Sequence, residues 1–309
     1  MNDSHNVIVY VPGMKPKPEP AEHRPALWRC LLEGVRRADK AVAAELSSCP
    51  DVFKLVAWSH LFYDEPRDLS LDLPGIERLL ELDGPEERDI RESLHWHRRL
   101  GRLVYLVCDA FPFLIDLVAN PDMKATLQDS QRYFRNENGV ASRIRRMVSD
   151  TLVEASESSA RVLLIGHSLG SVIAYDVLWE LSESRTKNLQ VDCFMTLGSP
   201  LGMNFIQHRV LSGRARGVGE HRYPNNIRRW SNLSAIGEMT ALDRVFADDY
   251  REMLDLGLVE SIDDRTDLRN YFRGSEGLNV HRCYGYMVNE KTGEAIVDWW
   301  RGGKGPLSA

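Results

Sequence analysis

Residues 161–170, RVLLIGHSLG, decide how the rest of the chain is read. Val162 to Ile165 is a short, unbroken apolar run, which reads as a buried strand. It runs directly into a turn in which Gly166 and Gly170 flank Ser168. Beyond the turn, Val172, Ile173, Tyr175, Val177, Leu178, Trp179 and Leu181 mark an apolar helix. G-x-S-x-G between a strand and a helix has a mechanical meaning. A serine lifted onto so sharp a turn occupies strained backbone, and the positions two residues to either side are pressed together. Glycine at 166 and 170 removes the side chains that would collide. The helix start beneath Ser168 adds free N–H groups and partial positive charge where an oxyanion would develop. Ser168 is therefore the candidate nucleophile. The competing reading is a tight glycine turn with a surface serine, and the flanking strand and helix favour the catalytic one.

Working outward, NVIVYVPG at 6–13 is a β-branched strand ended by Pro-Gly. KPKPEP at 15–20 is an extended loop. From Pro25 the spacing of Leu27, Leu31, Gly34, Val35 and Ala38 predicts a helix, and DVFKLVAW at 51–58 a second strand. Strand, helix, strand points to a parallel sheet with right-handed crossovers. Residues 60–137 break the rhythm with DLPG at 72–75, LDGPEERD at 82–89, RRLGR at 98–102 and an apolar stretch, Leu103–Ala119. They are expected to form a helical insertion. The rhythm resumes with Val140, Ile144, Met147, Val148, Leu152 and Ala155 on a helix face and with VDCFMTLGSP at 191–200 as a strand. NIRRWSNLSA at 226–235 is the last clear strand, and Asp249 to Leu256 reads as a solvated helix. No linker separates two cores, so 1–309 is expected to be a single α/β domain carrying the insertion.

Composition removes several function classes. At 43% hydrophobic and 27% charged, the 309 residues are neither disordered nor fibrous. The net charge of −6 gives no global reason to bind nucleic acid. Five scattered cysteines without a CxxC pair argue against a zinc cage or disulfide framework and for free thiols in a reducing compartment. Met1 to Asn6 is polar, without the basic start and long apolar run of a signal peptide, so a cytoplasmic location is expected. Leu103–Ala119 contains Asp109, Pro112 and Asp116 and falls short of a membrane span. His60, His95 and His97 do not complete a metal site, because alternate residues on a helix diverge. Arg209, Arg214, Arg216, Arg222, Arg228 and Arg229 read as a solvated basic stretch.

The chain resembles an α/β-hydrolase of the lipase or esterase type. The likeness is carried by VYVPGM at 9–14, LLIGHSLG at 163–170, TLGSPLG at 196–202, WSNLSAIGE at 230–238 and NVHRCYGY at 279–286. It implies a mostly parallel sheet flanked by helices, with nucleophile, acid and histidine in that chain order. Among the histidines at 5, 23, 60, 95, 97, 167, 208, 221 and 281, only His281 lies late enough to be the base, and HRCY at 281–284 is similar to the family's His-x-x-Tyr ending. One departure is that LRNYFRGSEGLN, just before His281, is polar and glycine-broken, so no convincing strand precedes it.

By the same resemblance, the oxyanion donors are the N–H of Leu169 and one N–H from the loop after the first strand. Pro12 has no N–H, which leaves Met14. The acid should follow the strand ending at Ala235. Glu238 and Asp243 both fit, and Glu238 is preferred on its spacing from that strand. The implied activity is hydrolysis of small-molecule carboxylic esters, lipid-like ones included, through an acyl-enzyme, without metal or organic cofactor. The alternatives are an acyltransferase or thioesterase using the same residues, or a binding protein on a hydrolase scaffold. The insertion would serve as a lid, and its apolar stretch could make transient contact with a membrane surface.

Overall fold

In the strand Asn6–Val11 (β1), Val9 and Val11 enter one apolar cluster while Ile8 and Tyr10 enter another on the opposite face. Burial on both faces is what a continuous β-branched run implies, and it suits a parallel sheet covered on both sides. The computed structural model describes residues 6–95, 121–157, 161–184, 189–215, 217–238 and 244–302. β1 is joined in the sheet by β2 (Phe53–Leu55), β3 (Arg161–His167), β4 (Cys193–Leu197), β5 (Arg229–Ala235) and β6 (Ser261–Leu268). All six strands are parallel, in the order β2-β1-β3-β4-β5-β6.

The longer helices are α1 (Pro20–Ala38), α2 (Lys40–Ser47), α3 (Leu73–Glu81), α4 (Glu87–Ser93), α5 (Pro121–Phe134), α6 (Val140–Glu157), α7 (Leu169–Glu183), the five-residue α8 (Cys283–Met287) and α9 (Glu290–Trp300). Ile144, Val148 and Leu152 of α6 and Val172, Ile173 and Val177 of α7 fill the cluster on one face. Leu27 and Leu31 of α1, Tyr286 of α8 and Ile296 of α9 fill the other. α1 begins at Pro20, whose missing N–H costs nothing in the first turn, so it starts earlier than the apolar spacing alone predicts. Asp39 ends α1 and caps α2, its carboxylate accepting the N–H groups of Ala41 and Val42 at 2.8 and 3.1 Å.

The strand order reverses at β1, whose two neighbours are β2 and β3. Connections leaving β1 and β3 diverge there and open a crevice at the carboxyl ends of the strands, the usual ligand position in open parallel sheets. Both VPGM and GHSLG leave the sheet at this point.

Three expectations need correction. The strand over 51–58 is only Phe53–Leu55, with Pro50–Val52 wound into a 3-10 turn. The strand ending at Ala235 is not the last, because β6 follows it and precedes His281. β6, SIDDRTDL, escapes an apolar search because it is an edge strand, largely half-exposed, so its polar residues face solvent. The helix expected over 249–256 is two short pieces, Phe246–Asp249 and Arg251–Asp255. The first starts early because Asp264 of β6 accepts the N–H groups of Phe246 and Ala247 at 3.0 and 2.8 Å.

Of the insertion, α3, α4 and α5 are described, while Leu103–Ala119 lies outside the described residues. Among the described residues, no helix is long and apolar enough to cross a membrane. Cys30, Cys49, Cys193 and Cys283 are free thiols, and Cys108 lies outside the described residues.

Candidate active site

The turn from β3 into α7 holds Ser168 at φ 53° and ψ −128°, backbone that L-residues rarely adopt. Such strain, of order 1–3 kcal/mol, persists only where the surroundings over-determine it. Here they do. The Ser168 N–H donates to Leu197 O at the end of β4 at 2.9 Å. Its carbonyl accepts both the N–H of Ser171 at 3.0 Å and the Ser171 hydroxyl at 2.5 Å. Ser171 Oγ in turn lies 2.6 Å from Ser199 Oγ, which accepts the N–H of Leu201 at 3.2 Å. The glycines carry the steric load assigned to them. A Cβ on Gly166 would lie 2.5 Å from Ser171 Cα, and one on Gly170 only 2.2 Å from Val11 O.

His281 and Glu238 meet. His281 Nδ1 lies 2.8 Å from Glu238 Oε2, which fixes the Nδ1–H tautomer of the neutral ring. Glu238 follows β5 through a turn at Gly237, whose φ of +82° is left-handed. Its side chain is only 2% exposed against 29% for His281, so a dry carboxylate backs a ring that reaches solvent.

The pair stands beside Ser168 on two counts. His167, the residue before Ser168, places its ring 4.9 Å from that of His281 and shares a 2.9 Å hydrogen bond between its Nε2 and the His281 carbonyl. Burial, reinforced by His281, holds the His167 imidazole well below its ordinary pKa, so it stays neutral and Nε2–H donates. Gly198, one residue past the acceptor of the Ser168 N–H, is the second link. A Cβ there would lie 3.2 Å from both Glu238 Oε2 and His281 Nδ1.

The loop after β1 closes the third side. A Cβ on Gly13 would come within 2.8 Å of Ser168 Cβ, so the Gly13–Met14 backbone runs directly against the serine. Trp58 Nε1 donates to Pro12 O at 2.9 Å, the Lys15 N–H donates to the Tyr63 hydroxyl at 2.9 Å, and Lys17 Nζ donates to Met14 O at 2.5 Å. These bonds hold a strained loop, since Lys15 has φ +76°. Burial, above all other causes, lowers the Lys17 ammonium to about 8. A cleft of about 120 Å³, lined by Pro12, Lys17, His23, Ser59, His60 and Tyr63 among others, opens alongside.

The part of the insertion before residue 96 packs on the same edge. Ser93 O at the end of α4 would lie 2.5 Å from a Cβ on Gly237, next to Glu238, and Asp72 before α3 is paired with both Arg67 and Arg282.

The structure thus brings together Ser168, His281, Glu238, the start of α7 at Leu169 and the loop carrying Met14. Asp243 lies outside the described residues. His60 binds the carbonyl of Ala57 at 2.8 Å, and His97 lies outside the described residues. Among the described residues, no group of three or more His, Cys, Asp or Glu side chains could hold a metal ion. Of the basic stretch, Arg222 and Arg228 pair with Glu252 and Glu260, while Arg209 stacks on the Phe205 ring and Arg214 donates to the Phe134 carbonyl.

No family model, curated protein or solved structure matches this chain.

Sequence reasoning passed over three contributors. Ser171 and Ser199 brace the turn, and Lys17 pins the loop after β1. Ser171 directly follows the motif, but nothing in a sequence tells a bracing hydroxyl from a helix-surface one. Chemically, the arrangement offers a strained hydroxyl at a helix N-terminus, an imidazole backed by a buried carboxylate, and backbone N–H groups on two sides. That set suits attack on an electrophilic carbonyl.

Proposed function

We propose that the protein is a serine hydrolase that cleaves carboxylic esters through an acyl-enzyme. In this reading Ser168 Oγ attacks the ester carbonyl while His281 takes its proton and then delivers it to the departing alcohol. Water, activated by the same imidazole, releases the acyl group in a second step. Glu238 orients His281 and stabilises the imidazolium, and the N–H groups of Leu169 and Met14 hold the oxyanion. The observation that carries the reading is the 2.8 Å contact between His281 Nδ1 and buried Glu238, beside a serine held at positive φ. Sheet order, chain order and the glycine turn add to it, since each accords with the resemblance to α/β-hydrolases. The insertion is read as a lid because α4 packs against the turn that carries Glu238.

The test is hydrolysis of short p-nitrophenyl esters by the whole chain. Ser168→Ala deletes one hydroxyl and is expected to lose several orders of magnitude in kcat with the fold intact. Near-wild-type turnover in a folded Ser168→Ala protein would rule the reading out.

A further inference from the structure

The segment that supplies His281 also supplies Tyr286, five residues later in α8. Tyr286 is fully buried, and both lone-pair and proton of its hydroxyl are committed. The oxygen accepts the N–H of Ala235, the last residue of β5, at 3.0 Å. The proton is given to Glu238 Oε2 at 3.1 Å, the same carboxylate oxygen that receives His281 Nδ1–H. Burial first, and then the charge of Glu238, keep the phenol well above its ordinary pKa, so it remains a donor throughout the working range. The ring touches the other side of the site as well, edge-on to His167 with centroids 5.8 Å apart. One side chain therefore ties the end of β5, the carboxylate, and the residue next to Ser168.

We propose that Tyr286 is a positioning residue that holds the Glu238 carboxylate in the plane and place where it can orient His281. The inference rests on the serine-hydrolase reading above. Its physical basis is the length of the acid. Glutamate has one more rotatable bond than aspartate, and a carboxylate on that longer arm can rotate away from the imidazole unless a second donor fixes it. The Ala235 N–H locks the hydroxyl to the sheet, so the sheet itself becomes the reference frame for the carboxylate. The His-x-x-Tyr likeness at 281–284 directs attention to Tyr284 instead. Its hydroxyl is buried and has no hydrogen-bond partner among the described residues.

That contrast supplies the experiment, since Tyr286→Phe and Tyr284→Phe make the same one-oxygen deletion in one short helix. With p-nitrophenyl butyrate, Tyr286→Phe is expected to lower kcat about tenfold with KM within twofold of wild type, the loss of one hydrogen bond to a charged group. Tyr284→Phe is expected to leave both unchanged. In a Glu238→Gln background, Tyr286→Phe should cost no more than twofold further, because the two act through one contact. The low-field Nδ1 proton resonance of His281, followed by NMR, should shift or broaden in Tyr286→Phe and not in Tyr284→Phe. Wild-type kcat with an unmoved low-field resonance in Tyr286→Phe would overturn the inference while leaving the hydrolase reading intact. A wild-type protein without esterase activity would fail the underlying reading instead. Should Tyr286→Phe not fold, replacing the tyrosines by 3-fluorotyrosine strengthens the hydroxyl as a donor, and an unmoved resonance then counts against the inference.

Discussion

Ser168 keeps an unfavourable backbone because three hydrogen bonds converge on its peptide groups, and Ser171 supplies two of them. Ser171→Ala removes the hydroxyl donor and leaves Ser199 with one partner fewer in a buried place. The expected cost is about 2 kcal/mol of stability by urea unfolding, together with a fall in kcat as the turn relaxes. Unchanged stability and turnover would show that the glycines and the two backbone hydrogen bonds hold the turn without the hydroxyl. At the acid, Glu238→Gln preserves shape but cannot stabilise an imidazolium or enforce the Nδ1–H tautomer. About a thousandfold loss of ester turnover is expected, with Asp243→Asn near wild type. A collapse confined to Asp243→Asn would transfer the role to that residue.

Among the elements, the loop after β1 has the most to lose. Its Met14 carbonyl is held by the Lys17 ammonium, a charge-assisted bond that weakens when the amine loses its proton. Burial lowers that amine to about 8, with Arg282 and Arg67 lowering it further and Asp72 and Cys283 opposing them. The clamp is therefore charged below pH 8 and neutral above it. kcat/KM should show an alkaline limb centred near pH 8, and Lys17→Met should lower the plateau and flatten that limb. An identical limb in Lys17→Met would assign the titration elsewhere. The same elements show what the sequence made legible. β1, β3 and the turn at Ser168 could be read because continuous apolar runs meet glycines with a steric purpose. That Glu238 meets His281 accords with its spacing from β5. β6 could not be read, because an edge strand turns polar residues toward water, and neither could the contact of Tyr286 with Glu238, which exists only once α8 folds back onto the end of β5.

At the scale of the whole molecule, the reversal of strand order at β1 is what gathers the site, since β1, β3, β5 and the loop beyond β6 all deliver residues to one edge of the sheet. The helices behind it are coupled through a buried carboxylate. Asp176 of α7 accepts the Tyr133 hydroxyl at 2.8 Å and the Leu211 N–H at 2.7 Å, and burial raises it to about 6. A carboxyl raised above its unfolded value of 3.8 stabilises the fold fully below that value and loses the contribution as pH rises through 6. Thermal unfolding should accordingly show a smaller decline between pH 5 and 7.5 in Asp176→Asn than in wild type, the difference being of order 1 kcal/mol. Equal declines in the two proteins would contradict this.

The central claim, that this edge of the sheet activates Ser168, is met most directly by fluorophosphonate labelling of the full chain followed by peptide mapping. The expected result is one label per chain, on Ser168, absent in Ser168→Ala and strongly slowed in His281→Ala. An unlabelled wild-type protein, or a label on any other residue, would contradict the account.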